Sequence, residues 1–428
     1  MSLPPNWKTE QLRSNCVKTP LADPTKRPNL TFVYVDVSSV SNESFSIVET
    51  KTLLGKDAPS RARKQMKAED IIFATVRPTL RRVALIPQEL DGQVCSTGYC
   101  VIRTDRAKLE PAFVYYWLLT GEVAKRVDAL QKGATYPAIS DSDLLNECLP
   151  VPPLPEQHAV AAALRAVQDA RDVRRRELVL ERERKAALME DLFTQGLRKD
   201  DDVRMTKYGL LPTRWVVKPL AECADVQTGA AKGRDFKGTA VREVPYLRVA
   251  NVQDGYLDLA EMKTITIRES EVDRYRLRIG DVVLTEGGDF DKLGRGFVWS
   301  GQIVDCIHQN HVFAVRGHLN MILPHYFAYL AASPYGKSYF LAVAHKTTNL
   351  ACINTTKLKA FPVPLPPLTE QHDIAEVLTA CDSKIASLEA EAALQDELFR
   401  ALLEELMTGR LSAIPLISEL DAMSEVNR

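Results

Sequence analysis

The sequence predicts an α+β protein written twice: two homologous mixed regions, each followed by a long helix, with the two helices paired as an antiparallel coiled coil. Three observations carry this. The stretch "PVPPLPEQHAVA" at 150–161 returns as "PLPPLTEQHDIA" at 364–375, 214 residues further on in a chain of 428. Behind each copy lies a segment of about 40 residues with helical apolar spacing. Ahead of each lies a region of about 150 residues with short strand-like runs bounded by Gly, Pro and Asp.

The repeat holds when it is followed outward, which separates a duplication from a chance proline-rich match. "ALMEDLFTQGL" (187–197) answers "ALLEELMTGRL" (401–411), and "ISDSDL" (139–144) answers "INTTKL" (353–358), both at the same offset. Further back, "YVDVSSV" (34–40) answers "YLRVANV" (246–252), "EDIIFATV" answers "GDVVLTEG", and Trp7 with Leu12 answers Trp215 with Leu220. The offset drifts by only a few residues, as loop insertions require. The boundaries that follow are 1–150, 151–204, 205–362 and 363–428, a pseudo-two-fold internal repeat.

The second helical segment carries the clearer seam. Ile374, Leu378, Cys381, Ile385, Leu388, Ala392, Phe399, Leu402 and Leu406 fall on one alternating spacing of four and three, broken only by Gln395. Pro364, Pro366 and Pro367 continue neither a strand ladder nor a helix and make a stiff extended lead-in. Thr369 then caps the helix, and Pro155 takes its place in the first copy, where a proline suits the first turn. The first helix keeps the seam at its ends (Val160, Leu164, Val167, then Leu178, Leu188, Leu192) but places Arg171, Arg174, Glu181 and Lys185 in the middle. Ala170 and Val173 offer a local shift of that stripe. Two rods of roughly 60 Å, at 1.5 Å rise per residue, pack most simply on each other. The alternative is two amphipathic helices each lying on its own domain, which gives no reason for their equal length.

The mixed regions read as α+β. Their strand-like runs are "FVYVDVSSV", "DIIFATV", "RRVALI" and "YCVIR" in the first, and "VPYLRVANV", "DVVLT", "GFVW" and "VFAVR" in the second, with short helices expected after Pro111 and Pro324. A chain that is 45% hydrophobic and 26% charged buries proper cores. No apolar run approaches the ~20 residues of a membrane span, and "MSLPPNWKTE" is no signal peptide. Eight cysteines without a CxxC pair read as reduced, mostly buried thiols of a cytoplasmic protein.

The whole-chain net charge of −1 conceals a segregation. Residues 1–150 carry 20 basic and 17 acidic side chains, 151–204 carry 11 of each, 205–362 carry 20 and 15, and 363–428 carry 4 and 13. Both mixed regions are therefore basic, and the acidic second helix and tail mask them. Residues 51–82 alone hold nine Lys/Arg against three acids, enough to neutralise several phosphates, although such a run is equally an ordinary solvated face.

Together these features resemble one family. The doubled "P-x-P-P-L-x-E-Q" (Pro150, Pro152, Pro153, Leu154, Glu156, Gln157, and Pro364, Pro366, Pro367, Leu368, Glu370, Gln371), the "LP-x-x-W" of Leu211, Pro212 and Trp215, and "GDFDKLGRG" at 288–296 are similar to the DNA-specificity subunit of type I restriction-modification enzymes. The resemblance covers essentially the whole chain. It implies that 1–150 and 205–362 are target recognition domains, each reading one part of a split, asymmetric sequence in double-stranded DNA. It implies that 151–204 and 363–428 are spacer helices that set the gap, the second carrying the acidic tail. It further implies a chain without catalysis or cofactor of its own. Two adenine methyltransferase subunits using S-adenosylmethionine, and restriction subunits that use ATP and Mg to translocate and cut, would dock on it; no membrane is involved.

The residues agree with an absence of catalysis. There is no G-x-x-x-x-G-K-[ST] loop and no Asn/Asp-Pro-Pro-aromatic run. Asp258, Glu261 and Lys263 have a spacing that chance supplies often. Cys306, His308, His311, His318 and His325 offer only one pair at ligand spacing for zinc. "ERERK" (181–185) reads as a solvated helix face. Two rival readings remain, a methyltransferase or nuclease in its own right and a coiled-coil protein scaffold.

Chemistry nominates the DNA contacts. The turn after "DIIFATV" carries Arg77, Arg81 and Arg82, and its glycine-rich counterpart carries Lys292 and Arg295; glycines let a backbone approach phosphate, and arginine reads guanine bidentately. The loops ahead of the proline motifs pair Lys132, Thr135 and Tyr136 with Lys346, Thr348 and Asn349, and asparagine is an adenine reader. The loop "TGAAKGRDFKG" adds Lys232, Arg234 and Lys237.

Overall fold

The computed structural model describes residues 3–133, 136–198, 202–233, 239–288, 292–346 and 351–417. The chain divides into two compact units, residues 1–176 with 389–428 and residues 177–388. Both long helices form, Leu154–Thr194 and Leu368–Met407, and each contributes to both units.

In the first unit, Lys51–Leu54, Thr31–Val35, Val94–Ser96 and Ala62–Gln65 make a four-stranded sheet in that order, antiparallel except for the pairing of Thr31–Val35 with Val94–Ser96. A second sheet, fully antiparallel, orders Val83–Leu85, Ile71–Ala74 and Tyr99–Ile102. Alternation along Ile71–Ala74 divides two cores: Ile71 and Phe73 pack with the helix Pro111–Leu119, while Ile72 and Ala74 pack with Val35, Val40 and Tyr99. Every residue of Pro111–Leu119 is buried, its proline stands in the first turn, and the Glu110 carboxylate accepts from the Ala112 amide. Lys8–Gln11 pairs antiparallel with Cys148–Val151, so the region closes on itself just before its long helix begins.

The second unit repeats these devices. Ala224–Thr228, Val312–Gly317, Val282–Thr285 and Gly296–Val298 form a four-stranded antiparallel sheet in that order, and Lys263–Arg268, Val241–Leu247 and Ile307–His308 a three-stranded one. Val282 and Leu284 face the helix Pro324–Ala332, and Val283 faces the other way. Val216–Pro219 pairs with Pro362–Leu365 as Lys8–Gln11 does with Cys148–Val151.

Two polar fixtures recur at matched positions and explain residues that the repeat singles out. Gln157 and Gln371 are fully buried. The Gln157 amide oxygen accepts from the Glu110 amide at 2.8 Å, and its nitrogen donates to the carbonyls of Lys108 (3.1 Å) and Pro152 (2.9 Å). Gln371 does the same with Leu323 (2.9 Å), Met321 (2.8 Å) and Pro366 (3.0 Å). Each glutamine thus fastens the start of a long helix to the loop ahead of the buried helix of its own unit. Likewise Asp70 takes both hydrogen bonds of the Arg103 fork (2.8 and 2.6 Å), and Asp281 those of Arg316 (2.8 and 2.7 Å).

Within each unit the two long helices run antiparallel. In the first, Arg171 is buried and its Nε lies 3.7 Å from Asp396, Arg175 holds both Asp396 oxygens (2.9 and 2.8 Å), and Arg174 meets Glu391 at 3.1 Å. In the second, Lys185 pairs with Asp382, which also accepts from the Tyr329 hydroxyl at 2.7 Å. Arg171, Arg174 and Lys185 of the polar middle are therefore matched by acids opposite, while Glu181 pairs with Arg184 of its own helix. Val173 is left 44% exposed, so the local shift toward it does not occur. "ERERK" is correspondingly less solvated than expected, since Lys185 and Glu181 turn inward while Arg184 stays out. Late in the second helix Leu403 is buried and Leu402 only half-buried, a one-residue departure from the expected seam. A straight helix drifts against a strict heptad in this way.

Five cysteines are buried, and Cys148 and Cys352 are exposed. No helix among the described residues is long and apolar enough to cross a membrane.

Candidate nucleic-acid interface

Past the end of Ile71–Ala74 the chain enters a tight turn. Arg77 and Arg81 both adopt left-handed backbone (φ 49° each) around the short turn Pro78–Leu80. Non-glycine residues hold that conformation at a cost of about 1 kcal/mol or more, and they cluster where structure is set for a purpose. The turn is tied to the second predicted loop: Val76 bridges to Ala138, Ala138 bridges to Lys132, and the Arg77 amide donates to the Pro137 carbonyl at 2.8 Å. This juxtaposition sets the Arg77 guanidinium 5.9 Å from the Tyr136 ring, which is 71% exposed, with Lys132 exposed in the same loop. Basic groups beside an exposed aromatic face suit a polyanion that also offers flat rings.

The remaining arginines of this turn do different work. Arg82 Nη1 donates to the carbonyls of Val37 (3.2 Å), Ser38 (3.1 Å) and Val40 (2.7 Å), so it fastens the 37–40 segment. Arg81 is half-buried and lines a cavity of about 250 Å³ with Phe73, Leu118, Lys125 and Asp128.

The second unit builds the same arrangement as a small sheet. Gly287–Gly288 pairs with Ala351–Cys352, which pairs with His345–Lys346. The turn after the buried strand and the loop ahead of the proline motif are therefore neighbours in both units. Three of the glycines are fixed by packing within the chain. A Cβ on Gly287 would lie 2.6 Å from the Ala351 carbonyl oxygen, one on Gly296 1.8 Å from that of Val283, and one on Gly294 (φ +67°) 2.5 Å from the Phe340 ring. Each is demanded by close packing within the chain. Thr285 clamps the turn, its amide donating to the Arg295 carbonyl (2.9 Å) and its hydroxyl to that of Lys292 (2.8 Å). Lys292 and Arg295 are both half-buried, and Arg295 Nε is shielded without a hydrogen-bond partner among the described residues.

Lys232 is exposed, its ammonium 5.2 Å from the Tyr246 ring. Thr135, Arg234, Lys237, Thr348 and Asn349 lie outside the described residues, and of Lys346 only the backbone is described.

Three of the histidines weighed for zinc have protein contacts. His308 is buried, with Nδ1 2.6 Å from the Val312 carbonyl, and burial lowers its pKa to about 4. His311 Nδ1 lies 2.5 Å from the Glu286 carboxylate, at the foot of the glycine turn, a contact that spacing did not suggest because the residues are 25 apart. His318 stands 3.8 Å from Asp225.

Both units pair the turn after a buried strand with the loop ahead of the proline motif. The sequence model of the type I restriction modification DNA specificity domain matches residues 7–179 and again 212–395, and the chain belongs to that family. It is similar to the EcoKI specificity subunit of Escherichia coli K12, 23% identical over 373 residues, covering 82% of this chain and 76% of that one. It is also similar to the StySPI specificity subunit of Salmonella potsdam, 24% identical over 402 residues, covering 85% and 83%. A putative MjaX specificity subunit of Methanocaldococcus jannaschii matches at 25% over 211 residues, and there the match spans about half the length of each chain. Among solved structures, a chain from a type I R-M system described for its complex assembly and conformational transition superposes with a TM-score of 0.57 at 27% identity, covering 96% of this chain and 100% of that one. The S subunit of M. genitalium shares the fold, with TM-score 0.57 at 15% identity and coverage of 95% and 98%. Specificity subunits are the non-catalytic, DNA-recognising components of type I restriction-modification systems, as the family resemblance implied.

Proposed function

We propose that this chain recognises a bipartite, asymmetric sequence in double-stranded DNA, one half-site for each recognition domain, with the long helices setting the gap. The observation that carries this is the twofold construction of one loop pair: a strained or glycine-rich turn after a buried strand, hydrogen-bonded to the loop ahead of the proline motif. In the first unit Arg77, Lys132 and Tyr136 form the contact surface. In the second the surface is formed by Gly287–Gly288, Lys292 and Arg295 with His345–Lys346 and Ala351–Cys352. Lys232 adds a peripheral contact, and Thr135, Arg234, Lys237, Thr348 and Asn349 stay nominated from the sequence alone. Arg82 acts from behind, holding the turn in shape.

The chain itself binds no cofactor on this reading. Two adenine methyltransferase subunits bring S-adenosylmethionine, and restriction subunits bring ATP and Mg. Mapping methylated adenines in cells that express the chain with its methyltransferase partner tests the proposal. The expected result is a motif of two short unlike half-sites around a fixed gap. Arg77→Ala with Tyr136→Ala should relax one half-site and leave the other intact. A contiguous motif, or loss of selectivity spread evenly over both halves, overturns it.

A further inference from the structure

The first unit contains a polar assembly whose residues are not repeated at the matched positions of the second. Residues 41–48 form a tight turn closed by the Ser41 amide on the Ser46 carbonyl (2.9 Å), with Phe45 forced into left-handed backbone (φ 53°). Its successive carbonyls are each taken by a side chain from another element. That of Glu43 accepts from Arg175 Nη1 (3.2 Å) and Arg171 Nη2 (3.4 Å), that of Ser44 from Gln168 Nε2 (3.2 Å), and that of Phe45 from the Tyr115 hydroxyl (2.9 Å). Gln168 also donates to Tyr115 at 3.0 Å, which joins the donors into one network. The Arg171 guanidinium lies between two rings, 5.8 Å from Phe45 and 4.7 Å from Phe399, and is only 3% exposed. Asp396 anchors both arginines from the second long helix.

At the corresponding places of the second copy stand Asp382 for Gln168, Ile385 for Arg171 and Glu389 for Arg175, each 214 residues on. There Asp382 is engaged by Lys185 and Tyr329. The fixture is therefore no by-product of the duplicated fold. A buried arginine is unfavourable unless its charge and donors are met, and here acids, carbonyls and two aromatic faces meet them. The turn is gripped through its backbone, and the side chains of Asn42 and Glu43 are exposed.

We propose that Arg171, with Gln168 and Tyr115, is a positioning residue for DNA recognition: it locks the first recognition domain onto its own stretch of the long helices, so that selectivity among gap lengths depends on it. This rests on the bipartite reading above. It predicts a division of labour, because Arg171, Gln168 and Tyr115 hold carbonyls of the 43–45 segment and not Arg77, Lys132 and Tyr136 of the proposed contact surface.

The test is methylome mapping with the full chain and its methyltransferase partner, comparing the native chain, Arg171→Met and the milder Tyr115→Phe, which removes a single hydroxyl. Both half-sites should keep their bases. Methylation at sites whose gap is one base pair too long or too short should rise about tenfold with Arg171→Met, and less with Tyr115→Phe, a tenfold change being 1.4 kcal/mol. A Leu180→Ala chain, altered at a 62% exposed position of the same helix, controls for substitution in the helix pair and should leave the gap distribution unchanged. If Arg171→Met fails to fold, Tyr115→Phe carries the test alone. An unchanged gap distribution in a folded variant, or an equal broadening with Leu180→Ala, overturns the lock. A native chain that gives no split motif overturns the bipartite reading instead.

Discussion

Gln157 and Gln371 stand out in the sequence only as letters of a repeated motif, yet each closes a loop 47–50 residues earlier through both ends of one amide. Their importance was legible from the repeat and their job was not, because the partners are backbone groups that carry no sequence signature. His308 shows the converse, a residue that looked like a ligand and is a core group. Its ring is neutral when buried, with a pKa near 4 against an ordinary 6.5, because burial opposes the charged form. The sign follows from proton uptake. Below pH 6.5 the unfolded chain binds a proton at this position and the folded chain does not until about pH 4, so the contribution is intact above 6.5 and is lost as pH falls toward 4. Between pH 7 and pH 5 this amounts to about 2 kcal/mol. Urea denaturation at the two pH values should show that loss in the native chain and a distinctly smaller one in His308→Asn. Equal losses in both chains would assign the acid sensitivity to other groups.

Among the elements, the second long helix could be read almost residue by residue, because Ile374, Leu378, Cys381, Leu388, Ala392 and Phe399 announce one face and all are buried. The first helix could not be read in its middle. Arg171 and Lys185 look like breaks in a dry seam until Asp396 and Asp382 are placed opposite them, and those partners are about 200 residues away in sequence. Periodicity reports which positions face inward and is blind to charge matching across a pair. The candidate loops were legible as loops for the same local reasons, turn residues and glycine. Their pairing into one surface rests on bridges such as Val76 to Ala138, which no local signal encodes. The seam pair is testable as a coupling. Lys185 and Asp382 are each less than a third exposed, so Asp382→Ala should lower stability by about 1–2 kcal/mol, discounted for solvent access. Lys185→Met should remove most of that sensitivity, giving a coupling in a double-mutant cycle of about 1 kcal/mol. Additive effects in thermal melts would mean that the charges face each other without interacting.

At the scale of the whole molecule, composition was the least informative reading, since a net charge of −1 averages two basic recognition regions against an acidic helix and tail. Order along the chain was the most informative, because region, helix, region, helix with equal helices leaves few ways to pair them. The proposed role of the helices as a gauge of DNA length has a quantitative consequence. A seven-residue insertion preserves the heptad seam and lengthens a helix by about 10 Å at 1.5 Å per residue. Made in both helices, between Arg176 and Glu177 and between Leu388 and Glu389, it falls where neither recognition loop is touched. At 3.4 Å per base pair, 10 Å corresponds to about three base pairs, and the turning of B-DNA carries the second half-site by roughly a quarter to a third of a turn. The inserted chain should therefore methylate the same two half-sites at a gap about three base pairs longer, provided the helices can supply the matching rotation. If they cannot, methylation should fall at every gap while each half-site keeps its bases in direct binding to short duplexes. A change in the bases themselves is the outcome that the gauge cannot produce, and finding it would move specificity from the recognition loops to the helices.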